Sequence, residues 1–140
     1  MKMMFDTNVV LDVLLNRDPH VVVAAKLFAL VDNGKVRGAI CATTATTIYY
    51  IATKSFGRRR ALTQVHDLLN LFEVALVDRV VLDSALDLDF GDFEDAVLHE
   101  AARAGGMSAI VTRDARDFAN ATLPIFKPHE LVAAVVAASD

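Results

Sequence analysis

Short apolar runs alternate along this chain with longer segments in which apolar residues recur at helical spacing. Apolar runs of this length, bounded by polar residues or turn signals, predict buried strands. The proline in the last run predicts that this strand lies at an edge of the sheet. The predicted strands cover residues 3–5, 39–41, 72–77, 108–111 and 123–126.

The intervening segments predict helices. Asp18 and Pro19 mark one helix start, as a cap followed by a proline in the first turn, and Asn33-Gly34 ends that helix. The predicted helices cover residues 9–15, 18–32, 43–54, 80–88 and 92–104, and two more begin at residues 58 and 128. Strands alternating with helices are typical of an α/β domain with a mostly parallel sheet. We expect four to five strands in a single domain over residues 1–140.

Composition narrows the class of protein. An apolar share of 54% excludes a disordered chain, and a net charge of −4 gives no overall attraction to nucleic acid or anionic membrane. Cys41 is the only cysteine, so no internal disulfide can form and a cytoplasmic location is favoured. We interpret Cys41 as a buried thiol. No apolar stretch is long enough to span a bilayer, and no signal peptide fits.

Aspartates follow two of the predicted strands. Asp6 comes directly after residues 3–5, and Asp114 comes shortly after residues 109–111. Because ligands bind beyond the carboxyl ends of parallel strands, the two aspartates would face one crevice if their strands are neighbours. Asp92 and Asp95 begin a predicted helix and lie three apart, on one face of its first turn. The sequence therefore predicts a cluster of four carboxylates.

Carboxylates that converge repel one another unless a cation lies among them. Oxygen ligands select Mg²⁺ or Mn²⁺, and such ions can activate water against a phosphodiester. Each acid also has a simpler explanation: Asp92 and Asp95 match a capping arrangement, and Asp6 and Asp114 could each start a helix or a turn. Separate caps do not explain why two strands both end in aspartate. Asn8 and Thr112, with Thr7, could hydrogen-bond the carboxylates.

These residues resemble those of the PIN-domain family of metal-dependent ribonucleases, which includes the VapC-like toxins of bacterial toxin–antitoxin pairs. The resemblance depends on residues 5–8, 92–96 and 111–114, and on Asp117-Phe118. It implies a three-layer α/β/α sandwich, an RNA substrate, a Mg²⁺ or Mn²⁺ cofactor, a homodimer and a small antitoxin partner. By resemblance Asp6, Asp95 and Asp114 would be catalytic metal ligands supported by Asn8 and Thr112. Asp117 could add an outer acid or be a solvated turn residue.

One position departs from the family pattern. The family usually has a glutamate early in the helix after the second strand, and here Thr47 occupies that position with no acid nearby in the helix. A hydroxyl could support a metal-bound water but carries no charge. Our hypothesis is that Asp92, because of its spacing from Asp95, joins the metal ligands and partly replaces the glutamate. The alternative is a degenerate, non-catalytic module that binds RNA or protein.

Basic residues are candidates for contacts with RNA phosphates. Arg58 and Arg59 belong to the most basic stretch, which could equally be the solvated start of a helix. Arg113 and Arg116 flank Asp114 and could steer RNA or pair with acids. A further alternative is a phosphatase of the haloacid dehalogenase type. That family needs a second aspartate where Asn8 stands, and it leaves residues 112–114 unexplained.

Overall fold

The computed structural model describes residues 1–139, and within them five strands alternate with seven α-helices and one short 3-10 helix. The strands are β1 Lys2–Phe5, β2 Arg37–Cys41, β3 Glu73–Ala75, β4 Ala109–Val111 and β5 Ile125–Phe126. The helices are α1 Thr7–Leu14, α2 His20–Asp32, α3 Ala42–Phe56, α4 Arg58–Leu71, α5 Arg79–Leu86, α6 Phe93–Ala104 and α7 Pro128–Ala138. The 3-10 helix covers Ala115–Phe118, between β4 and β5.

The five strands form one parallel sheet in the order β3-β2-β1-β4-β5. The first strand is central, and its register pairs Met4 with Ile110 and Phe5 with Val111. The fifth strand lies at an edge, as Pro124 predicts, although the strand begins one residue after this proline. Because β1 and β4 are parallel neighbours that end level with each other, the residues that follow them emerge side by side.

Alternating side chains of the sheet build a core on each face. Phe5 and Ile40 point into one cluster, which α1, α2, α3, α4 and α7 cover. Met4 and Ile110 point into the other, which α5 and α6 cover. Cys41 lies in this second cluster as a buried free thiol, as predicted. Burial on both faces explains why residues 3–5 of the central strand β1 and all three residues of β4 are consecutive apolar residues. The predicted three-layer α/β/α sandwich is confirmed.

Several element boundaries differ from the sequence prediction; β2 begins at Arg37 instead of residue 39, and β5 begins at Ile125 instead of residue 123. Helix α2 begins at His20, because Pro19 occupies the cap position in place of Asp18. Strand β3 has three residues instead of six, since its partner β2 ends at Cys41, which pairs with Ala75. The 3-10 helix was not predicted, because four residues are too few for a periodic signal. No helix within residues 1–139 is long and apolar enough to cross a membrane.

Candidate functional site

Asp6 and Asp114 lie together at the carboxyl end of the central strands. The backbone N–H of Asp6 donates to Val111 O at 2.9 Å, which continues the β1–β4 ladder as far as the aspartate. The side-chain Nδ2 of Asn8 donates to Asp114 Oδ2 at 3.0 Å and to Asp6 Oδ2 at 3.5 Å. One amide group therefore bridges the two carboxylates, so they face the same crevice.

The Thr112 hydroxyl is the buried centre of this arrangement. It donates to Asp6 Oδ2 at 2.7 Å, and its oxygen accepts from Asn8 Nδ2 at 3.2 Å and from the Asp114 backbone N–H at 3.0 Å. One side chain thus fixes both aspartates and the amide between them. Asp6 is also the N-cap of α1, since its Oδ1 accepts from the Thr7 N–H at 2.8 Å. The capping interpretation of Asp6 and its place in the cluster both hold.

The first turn of α6 brings further acids to the same pocket. Asp92 is the N-cap of α6, and its Oδ1 accepts from the Asp95 N–H at 3.1 Å. This hydrogen bond is the capping arrangement that the three-residue spacing of Asp92 and Asp95 predicts. The pocket has a volume of about 390 Å³. Its acidic lining residues are Asp6, Asp92, Glu94, Asp95, Asp114 and Asp117.

Burial and mutual repulsion perturb two of these acids. Desolvation is the main cause that raises the pKa of Asp6, with the charges of Asp114 and Glu94 adding to it, while hydrogen bonds from Thr112 and Thr7 act in the opposite direction. Burial also raises the pKa of Asp95 to about 7. The charges of the neighbouring acids contribute to that rise; they are Asp6, Asp92, Asp117 and Glu94. The pocket is therefore an environment that a cation would stabilise.

The donor chemistry of the pocket fits a hard divalent cation. Its candidate ligands are carboxylate oxygens, the kind that Mg²⁺ and Mn²⁺ prefer over the nitrogen and sulfur ligands typical of zinc. Within residues 1–139 no three His, Cys, Asp or Glu side chains are already grouped closely enough to hold a metal. Mg²⁺ usually keeps several waters and takes only one or two carboxylates directly, so a partly open set of acids is compatible with this ion.

Thr47 meets an acid that the sequence did not single out. Its hydroxyl donates to Glu94 Oε1 at 3.1 Å, across the gap between α3 and α6. Thr47 and Glu94 both line the acidic pocket. The only indication of Glu94 in the sequence was its position directly before Asp95. That position did not suggest a shared pocket, because two consecutive residues of a helix normally point in different directions. The contact with α3 is what brings Glu94 to the pocket.

A second missed group is the buried carboxylate of Asp12. Arg17 Nε donates to Asp12 Oδ1 at 2.9 Å, and Arg113 donates to Asp12 through Nε (2.6 Å) and through its terminal nitrogen (3.1 Å). Both arginines line the acidic pocket. The sequence did contain an indication of this group, which is an aspartate within the apolar helix α1. A buried acid needs a partner, so this position predicts a basic residue nearby. Asp12 thus holds two positive charges at the margin of the pocket.

The four predicted RNA-binding arginines fall into two groups. Arg113 lines the acidic pocket, and Arg116 and Lys127 line an adjoining cleft of about 330 Å³ that also includes Asp114. Arg58 and Arg59 are exposed at the start of α4 and do not line the acidic pocket. The structure therefore brings Arg113 and Arg116 to the acids, and leaves Arg58 and Arg59 outside the pocket.

Comparison with known proteins identifies the family and the solved structures that this fold resembles. A family model described as the PIN domain matches residues 2–116. A toxin–antitoxin complex from Klebsiella pneumoniae is similar, with 22% identity, a TM-score of 0.68, and coverage of 91% of this chain and 98% of that chain. VapBC-1 from nontypeable Haemophilus influenzae has 16% identity and a TM-score of 0.69, with 92% and 99% covered.

A third similar structure is VapC20 from Mycobacterium tuberculosis, described as a sarcin–ricin loop cleaving toxin. It has 16% identity and a TM-score of 0.62, with 77% of this chain and 86% of that chain covered. At such identities the likeness is one of fold. No curated protein matches the chain. Because the family model spans most of the sequence and the solved structures share its fold, the chain belongs to the PIN domain family.

Proposed function

We propose that this chain is a Mg²⁺- or Mn²⁺-dependent ribonuclease that hydrolyses RNA phosphodiester bonds. The observation that carries the proposal is the convergence of acids from distant parts of the chain. Asp6 and Asp114 follow adjacent strands, Asp95 comes from α6, and all three line one pocket. Repulsion within this pocket contributes to a pKa of about 7 for Asp95. An acidic pocket with this much unfavourable charge is costly unless a cation binds there.

In this proposal the carboxylates of Asp6, Asp95 and Asp114 hold the divalent ion. When bound, such an ion supplies charge neutralisation at the phosphodiester and activation of water. Thr112 fixes the orientation of the Asp6 carboxylate, and Asn8 holds Asp6 and Asp114 at one spacing. Orienting contacts of this kind govern how well the ligands present their oxygens. Contacts from Thr112 and Asn8 reduce the movement of the carboxylates that ion binding requires.

The substrate assignment depends on the positive charge beside the acids. A negatively charged pocket repels RNA, so phosphate contacts must come from basic residues at its margin. Arg113 and Arg116, with Lys127, occupy that margin and provide the primary contact surface. Arg58 and Arg59 would contact RNA further from the reacting phosphate. The similar fold of VapC20, a loop-cleaving toxin, supports RNA as the substrate.

The likeness to toxin–antitoxin complexes also supports a biological role for this chain. Similar structures include VapBC complexes and a toxin–antitoxin complex, and this supports the role of toxin in a pair with a small antitoxin protein. A homodimer and a cytoplasmic location are part of the same proposal. A co-expression test would measure growth of cells that produce the chain with and without the product of the adjacent gene.

One observation favours a second candidate, a non-catalytic PIN module that binds RNA or protein. Thr47 stands where the family resemblance implies a glutamate, so the pocket could lack a ligand that catalysis needs. Membership of the PIN family leaves the haloacid dehalogenase interpretation without support.

A cleavage assay separates these candidates. The purified chain is incubated with a fluorophore-labelled RNA in Mn²⁺ or Mg²⁺, with EDTA as a blank and Asp6→Asn as the matched variant. Metal-dependent cleavage that is lost in Asp6→Asn supports the nuclease. RNA binding without cleavage in either metal supports the non-catalytic module. Phosphate release from a small monoester, without RNA cleavage, would refute both.

A further inference from the structure

Glu94 has a position that capping does not explain. It is the second residue of α6, and within residues 1–139 its side chain makes one hydrogen bond, which it accepts from Thr47 at 3.1 Å. Thr47 is the α3 position at which an acidic side chain is expected from the family resemblance. The structure therefore places a carboxylate beside that position, although the sequence provides none on α3.

Asp92 is engaged differently. Its Oδ1 caps α6 by accepting from the Asp95 N–H, so a structural role accounts for an aspartate there. The spacing of Asp92 from Asp95 is the sequence-based reason for the hypothesis that Asp92 partly replaces the missing acid. The structure explains that spacing by capping, which uses Oδ1 of Asp92 just as the capping of α1 uses Oδ1 of Asp6. Capping does not exclude Asp92 from metal binding, but it removes the reason to assign Asp92 to the α3 position. Glu94 is the better candidate because it reaches across to α3.

Glu94 also lies within electrostatic range of the other acids. Its charge contributes to the raised pKa of Asp6 and to that of Asp95. Successive residues of an α-helix differ in direction by about 100°. Glu94 and Asp95 can therefore approach one pocket from two sides, with Glu94 on the α3 side. A single turn of α6 would then serve two separate ligand positions.

We infer that Glu94, held in place by the Thr47 hydroxyl, supplies the carboxylate that α3 lacks, so that two consecutive residues of α6 bind the divalent ion. The inference rests on the proposed metal-dependent function. The pair Thr47 and Glu94 would do together what a single acid on α3 would otherwise do. Thr47 is then a positioning residue, and Glu94 is a ligand that binds the ion directly or through one of its waters.

The test measures Mn²⁺ affinity and needs no turnover. Mn²⁺ is titrated into the protein at pH 7.5 and free Mn²⁺ is followed by electron paramagnetic resonance. The proteins compared are the wild type, Glu94→Gln, Asp92→Asn and Asp6→Asn, with Asp67→Asn, an exposed residue of α4, as the charge control. Circular dichroism checks that each variant is folded. We expect Glu94→Gln to weaken Mn²⁺ binding at least about 10-fold, the range typical for loss of a supporting ligand contact.

A rescue variant makes the inference specific. Thr47→Glu in the Glu94→Gln background returns a carboxylate to the same place from α3, and we expect it to restore most of the affinity. Restored binding would show that the charge at this place matters, whichever helix supplies it. No restoration, with the double variant folded, would overturn the inference.

The remaining outcomes distinguish the inference from the function on which it rests. Unchanged affinity in Glu94→Gln with loss in Asp6→Asn overturns the role of Glu94 and leaves the metal site standing. Loss in Asp92→Asn alone overturns it in favour of Asp92. Failure of the wild type to bind Mn²⁺ overturns both the inference and the proposed function.

Discussion

Replacing Asp95 with asparagine should stabilise the metal-free protein at alkaline pH, although it removes a proposed ligand. The physical reason is that the folded protein holds Asp95 in a pocket that disfavours its charge. Its pKa is about 7 in the fold against an ordinary value of 3.8. Below pH 3.8 the carboxyl is protonated in both the folded and the unfolded chain, so no penalty exists. As pH rises from about 4 to about 7 the folded state loses stability, and the loss is complete above that range.

The magnitude follows from this difference in pKa. Each pKa unit corresponds to about 1.4 kcal/mol, which sets a ceiling of about 4 kcal/mol. Asp95 is only half-buried, and solvent screening reduces the penalty to about 1–2 kcal/mol. Asp95 is the third residue of α6, where the helix dipole favours its charge by about 0.5 kcal/mol. The net gain from Asp95→Asn at pH 8 is therefore about 1 kcal/mol.

Thermal unfolding in EDTA measures this gain. For a domain of this size about 1 kcal/mol corresponds to a shift of roughly 4 °C in Tm. We expect Asp95→Asn to melt higher than the wild type at pH 8 and to show no such advantage at pH 4.5. Asp67→Asn, an exposed change on α4, is the control for removing one carboxylate charge outside the pocket. A difference between Asp95→Asn and wild type that is equal at both pH values would refute the claim that these acids repel one another in the fold.

Other consequences of the site can be measured separately. Mn²⁺ at pH 8 and at about 100 times its dissociation constant should stabilise the wild type by about 2.7 kcal/mol in thermal unfolding. The same Mn²⁺ concentration should leave the stability of Asp6→Asn unchanged. An equal shift in both proteins would mean that the ion binds elsewhere. Thr112→Val removes the donor to Asp6 and should cost about 1–3 kcal/mol in urea unfolding, whereas no loss would mean that the hydroxyl does not hold the carboxylate. Asp12→Asn should cost about 2–3 kcal/mol, below the usual figure for a buried pair because Arg17 and Arg113 are partly exposed. It should also weaken RNA binding through the released arginines, as measured by fluorescence anisotropy; unchanged stability and binding would contradict both roles.

The sequence predicted the strands and the acids that follow them, and it predicted one shared site on the condition that the first and fourth strands are neighbours, which the strand order confirms. An apolar run followed by an aspartate marks a strand end, and parallel neighbours bring such ends together. This reasoning predicted that Asp6 and Asp114 share a crevice, which the structure shows through their common partner Asn8. The sequence also allowed two interpretations of Asp92 and Asp95, capping and metal binding. Capping could be predicted because it depends only on the spacing of two residues within one helix.

Contacts between side chains of distant helices could not be predicted in the same way. The hydrogen bond from Thr47 to Glu94 joins residues 47 positions apart, and its existence depends on how α3 and α6 lie against the sheet. From the sequence Thr47 therefore indicated a missing acid and a hydroxyl that could support a metal-bound water, but not its contact with Glu94. The partners of Asp12 were hidden for the same reason, since Arg113 is 101 positions away. The packing of α4, which spacing does not reveal, decides that Arg58 and Arg59 lie outside the acidic pocket.

The most direct measurement is anomalous diffraction from crystals of the wild-type chain grown with Mn²⁺. We expect an anomalous peak inside the acidic pocket, within coordination distance of oxygens from Asp6, Asp95 and Asp114 or of the waters they hold. Crystals of Asp6→Asn grown in the same way should lack that peak. A wild-type pocket without a peak under these conditions, or a peak only at other residues, would contradict the claim that the three distant acids form one cation site.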